Sequence, residues 1–443
     1  MSRVLHRSTR QNFDVAVSGD GMMLTLADGR TVIDAAGGAA VACLGHGNAR
    51  VAAAVGHQAQ KLAYVHTMFF STETAEELAD LLVGHEPGGL TRAFFVSSGS
   101  EAMEASLKLA RQHFVEKGEQ RTHFIARRQS YHGNTFGALA ASGHSGRRSI
   151  YEPILMGNFS HVAPCFAFRY KAADETSAQY VARLAADLEA EFQRIGPDRV
   201  IGFIAESIVG ATSGCVTAEP GYFKAMRAVC DRHGALLILD EVMSGMGRSG
   251  TQHVWEQEGI TPDIQAVAKG LGGGYVPIGA VLVSGKVMDV LDGGTGAFVH
   301  GQTFQAHAVA CAGALEVQRI IQEENLLANV RSVGRYLAER LDDRFGQHTN
   351  VADVRGRGLF QALEFVQNRD TGEPYDPSAR FSEVLKRKAL DVGLAIYPNG
   401  GTIDGRNGDH VIIAPPYNAT HADIDAIVAR LEQAIALAVA GVA

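Results

Sequence analysis

Two apolar runs, each ending in a charged residue, constrain this chain more than any other feature. Residues 235–239 (ALLIL) lead directly into Asp240-Glu241, and residues 264–268 (IQAVA) lead into Lys269 and a glycine-rich segment, GLGGG. Continuous apolar runs of this length are typical of strands that are buried on both faces. Ligands of open α/β sheets bind at the carboxyl ends of such strands. We therefore expect the Asp240 carboxylate and the Lys269 amine at neighbouring strand ends.

This pair of groups has a specific chemical use. A lysine that attacks a carbonyl needs a partly desolvated site, and nearby glycines let a flat ligand approach the backbone. A buried aspartate can hold a protonated ring nitrogen, and pyridoxal phosphate requires both groups. The alternative is an exposed lysine and a solvated Asp-Glu pair. It is disfavoured because both Asp240 and Lys269 directly follow an apolar run.

Length and composition set the class of protein. The 443 residues suggest one large unit and a smaller one, and the hydrophobic and charged fractions of 46% and 20% are those of a globular protein. The net charge is -8 without a block of basic residues, so we expect neither nucleic-acid nor membrane binding. The five cysteines lack CxxC spacing, which predicts reduced thiols and no metal site. No stretch is apolar enough to span a bilayer, and the first residues have no apolar core of a secretory signal, so we expect a cytoplasmic location.

The order of the elements predicts an α/β fold. Strands alternate with helices between residues 92 and 283, which favours a mostly parallel sheet flanked by helices. Segments 1–60 and 326–443 are predicted to form a smaller α+β domain, and segment 61–325 the large one. Residues 142–175 show no clear period and are expected to form loops.

A Ser/Gly loop follows the strand at residues 92–96. It contains Ser98, Gly99 and Ser100 and precedes an amphipathic helix that is expected from Glu101. Because free N–H groups and the positive end of a helix point out of such a loop, it can bind an anion such as a phosphate. Simple N-capping by Ser100 is the other reading, and both can be true.

Further candidate residues lie at the ends of other apolar runs. Tyr131 and His132 follow a strand at residues 122–126, and Tyr131 is placed to stack on a flat ring, unless the two form a surface pair. Glu206 ends another apolar run, and Thr303 precedes a long helix as a candidate phosphate-binding or capping residue. The aromatic cluster Tyr64, Phe69 and Phe70 is typical of core or subunit-interface packing, with a substrate pocket as the alternative.

Five segments in this order resemble the class III aminotransferases, which are pyridoxal-phosphate enzymes of fold type I. The segments are SSGSEAMEASLKLAR, SYHGNTFGAL, LLILDEVMSGMGRSG, PDIQAVAKGLGGGYVPIGAV and HGQTF. The resemblance implies that Lys269 binds the cofactor aldehyde and that Asp240 pairs with the pyridine nitrogen. It also implies that Val242 and Tyr131 pack on opposite faces of the ring.

The remaining cofactor contacts follow from the same resemblance. Gly99 and Ser100 would bind the phosphate, and Thr303 would come from the second subunit of a homodimer, or of a tetramer, with active sites at the interface. Ser98, His132, Glu206 and Met243 complete the predicted cofactor site.

The chain departs from the family pattern in three places. Met243 stands where the family commonly has Gln, Ser207 where it has Pro, and Ile412 where carboxylate-binding members have the Arg of an RFAPP-like run. Arg406, on a glycine-rich loop, is our candidate for a mobile arginine that binds the carboxylate, and a merely exposed arginine is the alternative. Phe70 and Tyr64 are candidate substrate contacts.

The resemblance implies a two-step transamination from an amine or ω-amino acid to a keto acid, with pyruvate favoured. The alternatives are other reactions of the same cofactor: decarboxylating transamination, amino-group migration, racemisation or phospho-lyase elimination. A cofactor-binding protein without turnover is the alternative outside enzymes.

Overall fold

The helices and strands follow the apolar runs of the sequence closely. A computed structural model describes residues 2–442. The strands are β1 Ala16–Asp20, β2 Met23–Leu26, β3 Thr31–Asp34, β4 Leu90–Val96, β5 His123–Arg127, β6 Phe159–Val162, β7 Val200–Glu206, β8 Ile208–Val209, β9 Val216–Thr217, β10 Leu236–Asp240, β11 Ile264–Val267, β12 Gly279–Ser284, β13 Val351–Arg357, β14 Phe360–Phe365, β15 Leu394–Ala395, β16 Tyr397–Gly400 and β17 Asp409–Ile413. The helices are α1 Gly37–Ala40, α2 Ala49–Lys61, α3 Glu73–Val83, α4 Gly99–Glu116, α5 Phe136–Ala141, α6 Ser145–Arg148, α7 Ala167–Tyr170, α8 Ser177–Ile195, α9 Tyr222–Arg232, α10 Trp255–Glu258, α11 Gly285–Gly293, α12 Ala308–Glu323, α13 Leu326–Phe345, α14 Phe381–Asp391 and α15 His421–Ala440.

The large sheet has the strand order β4-β12-β11-β10-β7-β5-β6. Only β12 runs antiparallel to its neighbours, so the prediction of a mostly parallel sheet is confirmed. Leu236 and Ile238 pack against the layer that contains α4, and Leu237 and Leu239 pack against α8 and α9 on the other side. Because helices cover both faces, the central strands β7, β10 and β11 are apolar except at Gln265 and at the terminal residues Glu206 and Asp240.

The register of the sheet brings the charged strand ends together. Asp240 lies opposite Glu206 on the parallel strand β7 and opposite Ala266 on β11. The chain leaves β11 at Val267 and reaches Lys269 two residues later. Both predicted strands therefore end at the same edge of the sheet.

A second core lies outside the large sheet. Strands β13, β14, β17 and β16 form an antiparallel sheet packed against α13, α14 and α15. In another sheet, the N-terminal hairpin β2–β3 pairs in parallel with β15, Leu394 lying opposite Ile33. This pairing agrees with a smaller domain built from both ends of the chain, and the boundaries at residues 60 and 325 stay predictions.

The segment at residues 142–175 differs from the expected loops. It contains the edge strand β6, which pairs with β5, and two single-turn helices, α6 and α7. These elements are each four residues long, which is too short to show a hydrophobic period.

No helix within residues 2–442 is long and apolar enough to cross a membrane. The cytoplasmic location stays a prediction.

Candidate active site

Asp240 forms the inner end of a cavity of about 340 Å³ at the carboxyl edge of the large sheet. Its Oδ2 lies 2.8 Å from Nδ1 of His132, and its Oδ1 accepts a hydrogen bond of 3.0 Å from the backbone N–H of Val242. His132 is itself buried, and its backbone N–H donates to Ser142 Oγ at 2.8 Å. The position and orientation of the Asp240 carboxylate are thus fixed by two donors from separate loops.

Glu206 lies beside Asp240 and positions the loop that carries Tyr131. Its two carboxylate oxygens accept the backbone N–H groups of Tyr131 at 2.9 Å and of Gly210 at 3.0 Å. Burial raises the pKa of Glu206 above its usual value. This carboxylate therefore holds the loop at residue 131 against the inner end of the cavity.

Lys269 lies at the start of a single 3₁₀ turn, Lys269–Leu271, and lines the same cavity. Its φ is +43°, in the left-handed region that residues other than glycine rarely adopt. Burial lowers the pKa of its amine to about 8, although the charges of Asp240 and Glu206 act in the opposite direction. A neutral, nucleophilic amine is therefore accessible near neutral pH.

The Ser/Gly loop caps helix α4 differently from the prediction. Ser98, rather than Ser100, is the N-cap, and its Oγ accepts the N–H of Glu101 at 3.2 Å. Glu101 in turn accepts the N–H of Ser97 at 2.7 Å. The helix therefore begins at Gly99, and the N–H groups of Gly99 and Ser100 have no carbonyl acceptor within the helix. Both residues line the cavity.

Val242 and Tyr131 also line this cavity. A Cβ on Gly99 would lie 2.7 Å from Val242 Cγ1, so only glycine fits there without moving Val242. Gly133 has a φ of +134°, and a Cβ on it would lie 2.8 Å from Ser100 Oγ. Gly99 thus lets the loop at residues 98–100 approach the side chain of Val242, and Gly133 lets the loop at Tyr131 approach Ser100.

The sequence profile of the family Aminotransferase class-III matches residues 5–435. The chain belongs to this family. An uncharacterized aminotransferase of Schizosaccharomyces pombe is 49% identical over 425 residues, which is 96% of this chain and 93% of that protein.

Solved structures agree with this assignment. A thermostable (S)-enantioselective omega-transaminase from Thermomicrobium roseum has a TM-score of 0.92 at 32% identity, covering 98% of this chain and 96% of that one. An amine transaminase from an uncultivated Pseudomonas species, in its PLP-bound form, has a TM-score of 0.92 at 32% identity, covering 98% and 99%. The protein is thus a class III aminotransferase with the fold of these enzymes.

Family membership implies pyridoxal phosphate, and the residues around this aminotransferase's cavity fit it. Lys269 offers an amine for the aldehyde, Asp240 offers an oriented carboxylate for the ring nitrogen, and the start of α4 offers free N–H groups for the phosphate. Val242 and Tyr131 line the same cavity and offer an apolar and an aromatic surface for a flat ring. Within residues 2–442 no cluster of potential metal ligands occurs.

Two of the departures from the family pattern have structural consequences in the aminotransferase. Ser207 donates from Oγ to Glu241 Oε1 at 2.7 Å. Glu241 points away from the cavity and also accepts bonds from the N–H groups of Val254 and Trp255 and from Gln265. Ser207 therefore connects the end of β7 to Glu241, the buried carboxylate that follows β10. Met243 is buried and lines the cavity with a thioether in place of an amide.

Four predicted residues lie outside the cavity wall of the single chain. Tyr64, Phe70 and Thr303 are exposed, and Arg406 is exposed in the loop between β16 and β17. Tyr64 instead lies near Phe304, with ring centroids 6.3 Å apart. Their predicted roles in substrate and cofactor binding stay predictions.

The cavity of the aminotransferase contains residues that the sequence did not single out as site residues. Arg147, which belongs to the segment expected to form loops, lines the cavity, as do Arg7 of the N-terminal segment and Tyr397 of β16. Arg147 lies on α6, within the segment expected to be loops. Arg7 and Arg147 lie at no strand end and in no periodic pattern, and Tyr397 begins a strand of only four residues, so no apolar run pointed to these positions.

Proposed function

We propose that this aminotransferase moves an amino group from an amine or ω-amino acid to a keto acid, with pyruvate favoured, by a ping-pong mechanism with pyridoxal phosphate. The observation that carries the proposal is the presence of Lys269 and Asp240 in one cavity, at the ends of adjacent strands. The similar omega-transaminase and amine transaminase structures support an amine donor.

The proposed role of Lys269 is to bind the cofactor aldehyde and later to carry a proton. Its pKa of about 8 lets the amine act as a nucleophile and, once free, accept a proton from the substrate carbon. When bound, pyridoxal phosphate supplies an electron-withdrawing ring that stabilises negative charge at that carbon. Lys269 thus serves both the attachment of the cofactor and the proton transfer.

The proposed role of Asp240 is to keep the ring nitrogen protonated. His132 and the N–H of Val242 bind its carboxylate from behind, so its orientation does not depend on the ligand. A fixed carboxylate costs no reorganisation when charge develops on the ring. We assign His132 as a positioning residue that acts through Asp240, and Glu206 as one that acts through the loop at Tyr131.

Gly99 and Ser100 would bind the phosphate with the free N–H groups of α4, and Ser98 shapes their loop as the N-cap. Val242 and Tyr131 would pack on the two faces of the ring, and Met243 would lie near it. Together these contacts would hold the cofactor in the cavity that Lys269 lines.

Alanine formation tests the proposal. Purified holoenzyme is incubated with pyruvate and a panel of donors: ω-amino acids, diamines, arylalkyl amines and sulfonate-bearing amines. We expect alanine from at least one donor class, and its complete loss in Lys269→Ala. Cofactor binding without amino transfer to pyruvate or to 2-oxoglutarate would contradict the proposal.

We further propose a homodimer in which Thr303 contacts the phosphate of the partner's site, while Phe70 and Tyr64 lie at the interface. The exposure of Phe69, Phe70 and Phe304, by 73%, 64% and 57%, supports a covering partner. Sedimentation velocity measures the mass, and a monomer with full activity would refute this arrangement. Thr303→Ala should weaken cofactor binding without changing the mass.

A further inference from the structure

The charges in the cavity are unevenly distributed. The acidic side chains that line it, Asp240 and Glu206, lie at the inner end and are bonded to His132 and to backbone N–H groups. Two guanidinium groups, those of Arg7 and Arg147, also line the cavity. Throughout the described chain, neither arginine has a carboxylate within 4.0 Å. Both guanidinium groups therefore lack an ion-pair partner among the described side chains.

Arg147 is the better placed of the two. Its guanidinium lies over the ring of Tyr131, 4.9 Å from the centroid, and its other contacts are long: 3.4 Å to Asn399 Oδ1 and 3.5 Å to the carbonyl of Ala211. The neighbouring Arg148, by comparison, donates short hydrogen bonds of 2.7 and 2.6 Å to the carbonyls of Ala140 and Ser142. Arg147 therefore retains N–H groups for a ligand.

Helix α6, which carries Arg147, is bonded to the loop between β16 and β17. Ser145 of this helix donates from Oγ to the carbonyl of Asp404 at 2.8 Å. Arg7, by contrast, is exposed and belongs to a segment without helix or strand. A positioned guanidinium binds a carboxylate with less loss of entropy than one that must be ordered.

We propose that Arg147 binds the substrate carboxylate, both of the keto acid and of an ω-amino acid donor. The proposal rests on the transamination proposed above and adds the residue that binds the carboxylate of its substrates. The carboxylate would accept two N–H bonds from the guanidinium beside Tyr131, with the reacting carbon towards Lys269. Arg406, the arginine expected from the sequence, does not line the cavity and is not required for this contact.

A second observation places Arg147 within electrostatic reach of the reaction. Burial is the main reason that the pKa of Lys269 is low, and the Arg147 charge lowers it further. A bound carboxylate would offset that charge. Arg147 and Lys269 also line the same cavity, so a substrate bound there can contact both groups.

The test compares substrates with and without a carboxylate on the holoenzyme. Arg147→Met, Arg147→Lys and Arg406→Met are assayed in single half-reactions with a carboxylated donor (4-aminobutyrate), an uncharged donor (1-phenylethylamine) and pyruvate. The matched control is Arg128→Met, because Arg128 is exposed and does not line the cavity. Binding of propionate, which cannot react, is measured by calorimetry as a readout independent of turnover.

For Arg147→Met we expect kcat/KM to fall about 10- to 100-fold for pyruvate and 4-aminobutyrate, mostly through KM, because a charge-assisted hydrogen-bond pair is lost. The rate with 1-phenylethylamine should change less than about 3-fold, and propionate binding should weaken with KM. Arg147→Lys should recover part of the loss, since it keeps the charge without the fork of donors.

Equal losses for charged and uncharged donors, or unchanged propionate binding, would overturn the proposal. A carboxylate-specific loss in Arg406→Met but not in Arg147→Met would overturn it in favour of Arg406. Failure of the transamination itself is a separate result, because the wild-type enzyme would then form no alanine from any donor.

Discussion

Gly99→Ala should weaken cofactor binding, although Gly99 lies in a helix where alanine is ordinarily the better residue. The new Cβ would lie 2.7 Å from Val242 Cγ1 and 3.1 Å from Cγ2. Overpacking of this kind costs about 1–3 kcal/mol, whereas the helix propensity of alanine returns about 1 kcal/mol. Because Val242 lines the cavity, we expect it to relieve the clash by moving into the space where the ring would bind. The steric effect therefore appears mainly as lost cofactor affinity.

The expected size follows from the same energies. A cost of about 1–3 kcal/mol in the bound state raises the dissociation constant by about 5- to 150-fold. Titration of the apoprotein with pyridoxal phosphate, followed by absorbance, measures it. The double variant Gly99→Ala/Val242→Ala should recover most of the loss, because removal of the valine methyl groups removes the clash.

Gly56→Ala is the matched control. Gly56 lies inside α2, and a Cβ there would have no neighbour within 4 Å. This substitution should leave cofactor binding unchanged and raise the free energy of unfolding by about 0.5–1 kcal/mol. Our reasoning would be wrong if Gly99→Ala bound the cofactor normally, or if truncation of Val242 failed to rescue it.

Three further predictions concern residues at the carboxyl edge of the large sheet. His132→Phe removes a donor to Asp240 and should raise the cofactor's dissociation constant about tenfold in the same titration; an unchanged constant would contradict the positioning role. Ser207→Ala removes the bond to Glu241 and should lower the free energy of unfolding by about 1 kcal/mol in urea, and no change would show that this bond is dispensable. Lys269 has a pKa lowered to about 8 from the usual 10.5, so between these values the unfolded chain binds the proton that the folded chain has lost, and the apoprotein gains stability as pH rises. Lys269→Met should remove up to about 3 kcal/mol of that gain. Urea unfolding at several pH values across this window measures it. If the free energy of unfolding changed with pH equally in both proteins, the lowered pKa would be refuted.

The sequence predicted the part of the site that contains Asp240 and Lys269 because both residues follow apolar strands. Strands buried on both faces must be apolar throughout, so Asp240 and Lys269 stand out where the runs end. The Ser/Gly loop before α4 was recognisable for the same reason, although Ser98 and not Ser100 is the cap.

The rest of the site depends on tertiary and subunit contacts, which leave no pattern in the sequence. Arg147 reaches the cavity through α6, a single turn whose packing against the loop before β17 involves residues more than 250 positions away. Tyr64, Phe70 and Thr303 are exposed in one chain, so the roles proposed for them require a second subunit. Neither tertiary contacts of single-turn helices nor subunit contacts produce a periodic pattern.

Covalent trapping tests the central claim most directly. Borohydride reduction of the holoenzyme, followed by proteolysis and mass spectrometry, identifies the lysine that binds the cofactor. We predict one modified peptide, containing Lys269, and none in Lys269→Ala. Modification of another lysine, or activity with pyruvate that persists in Lys269→Ala, would contradict the account.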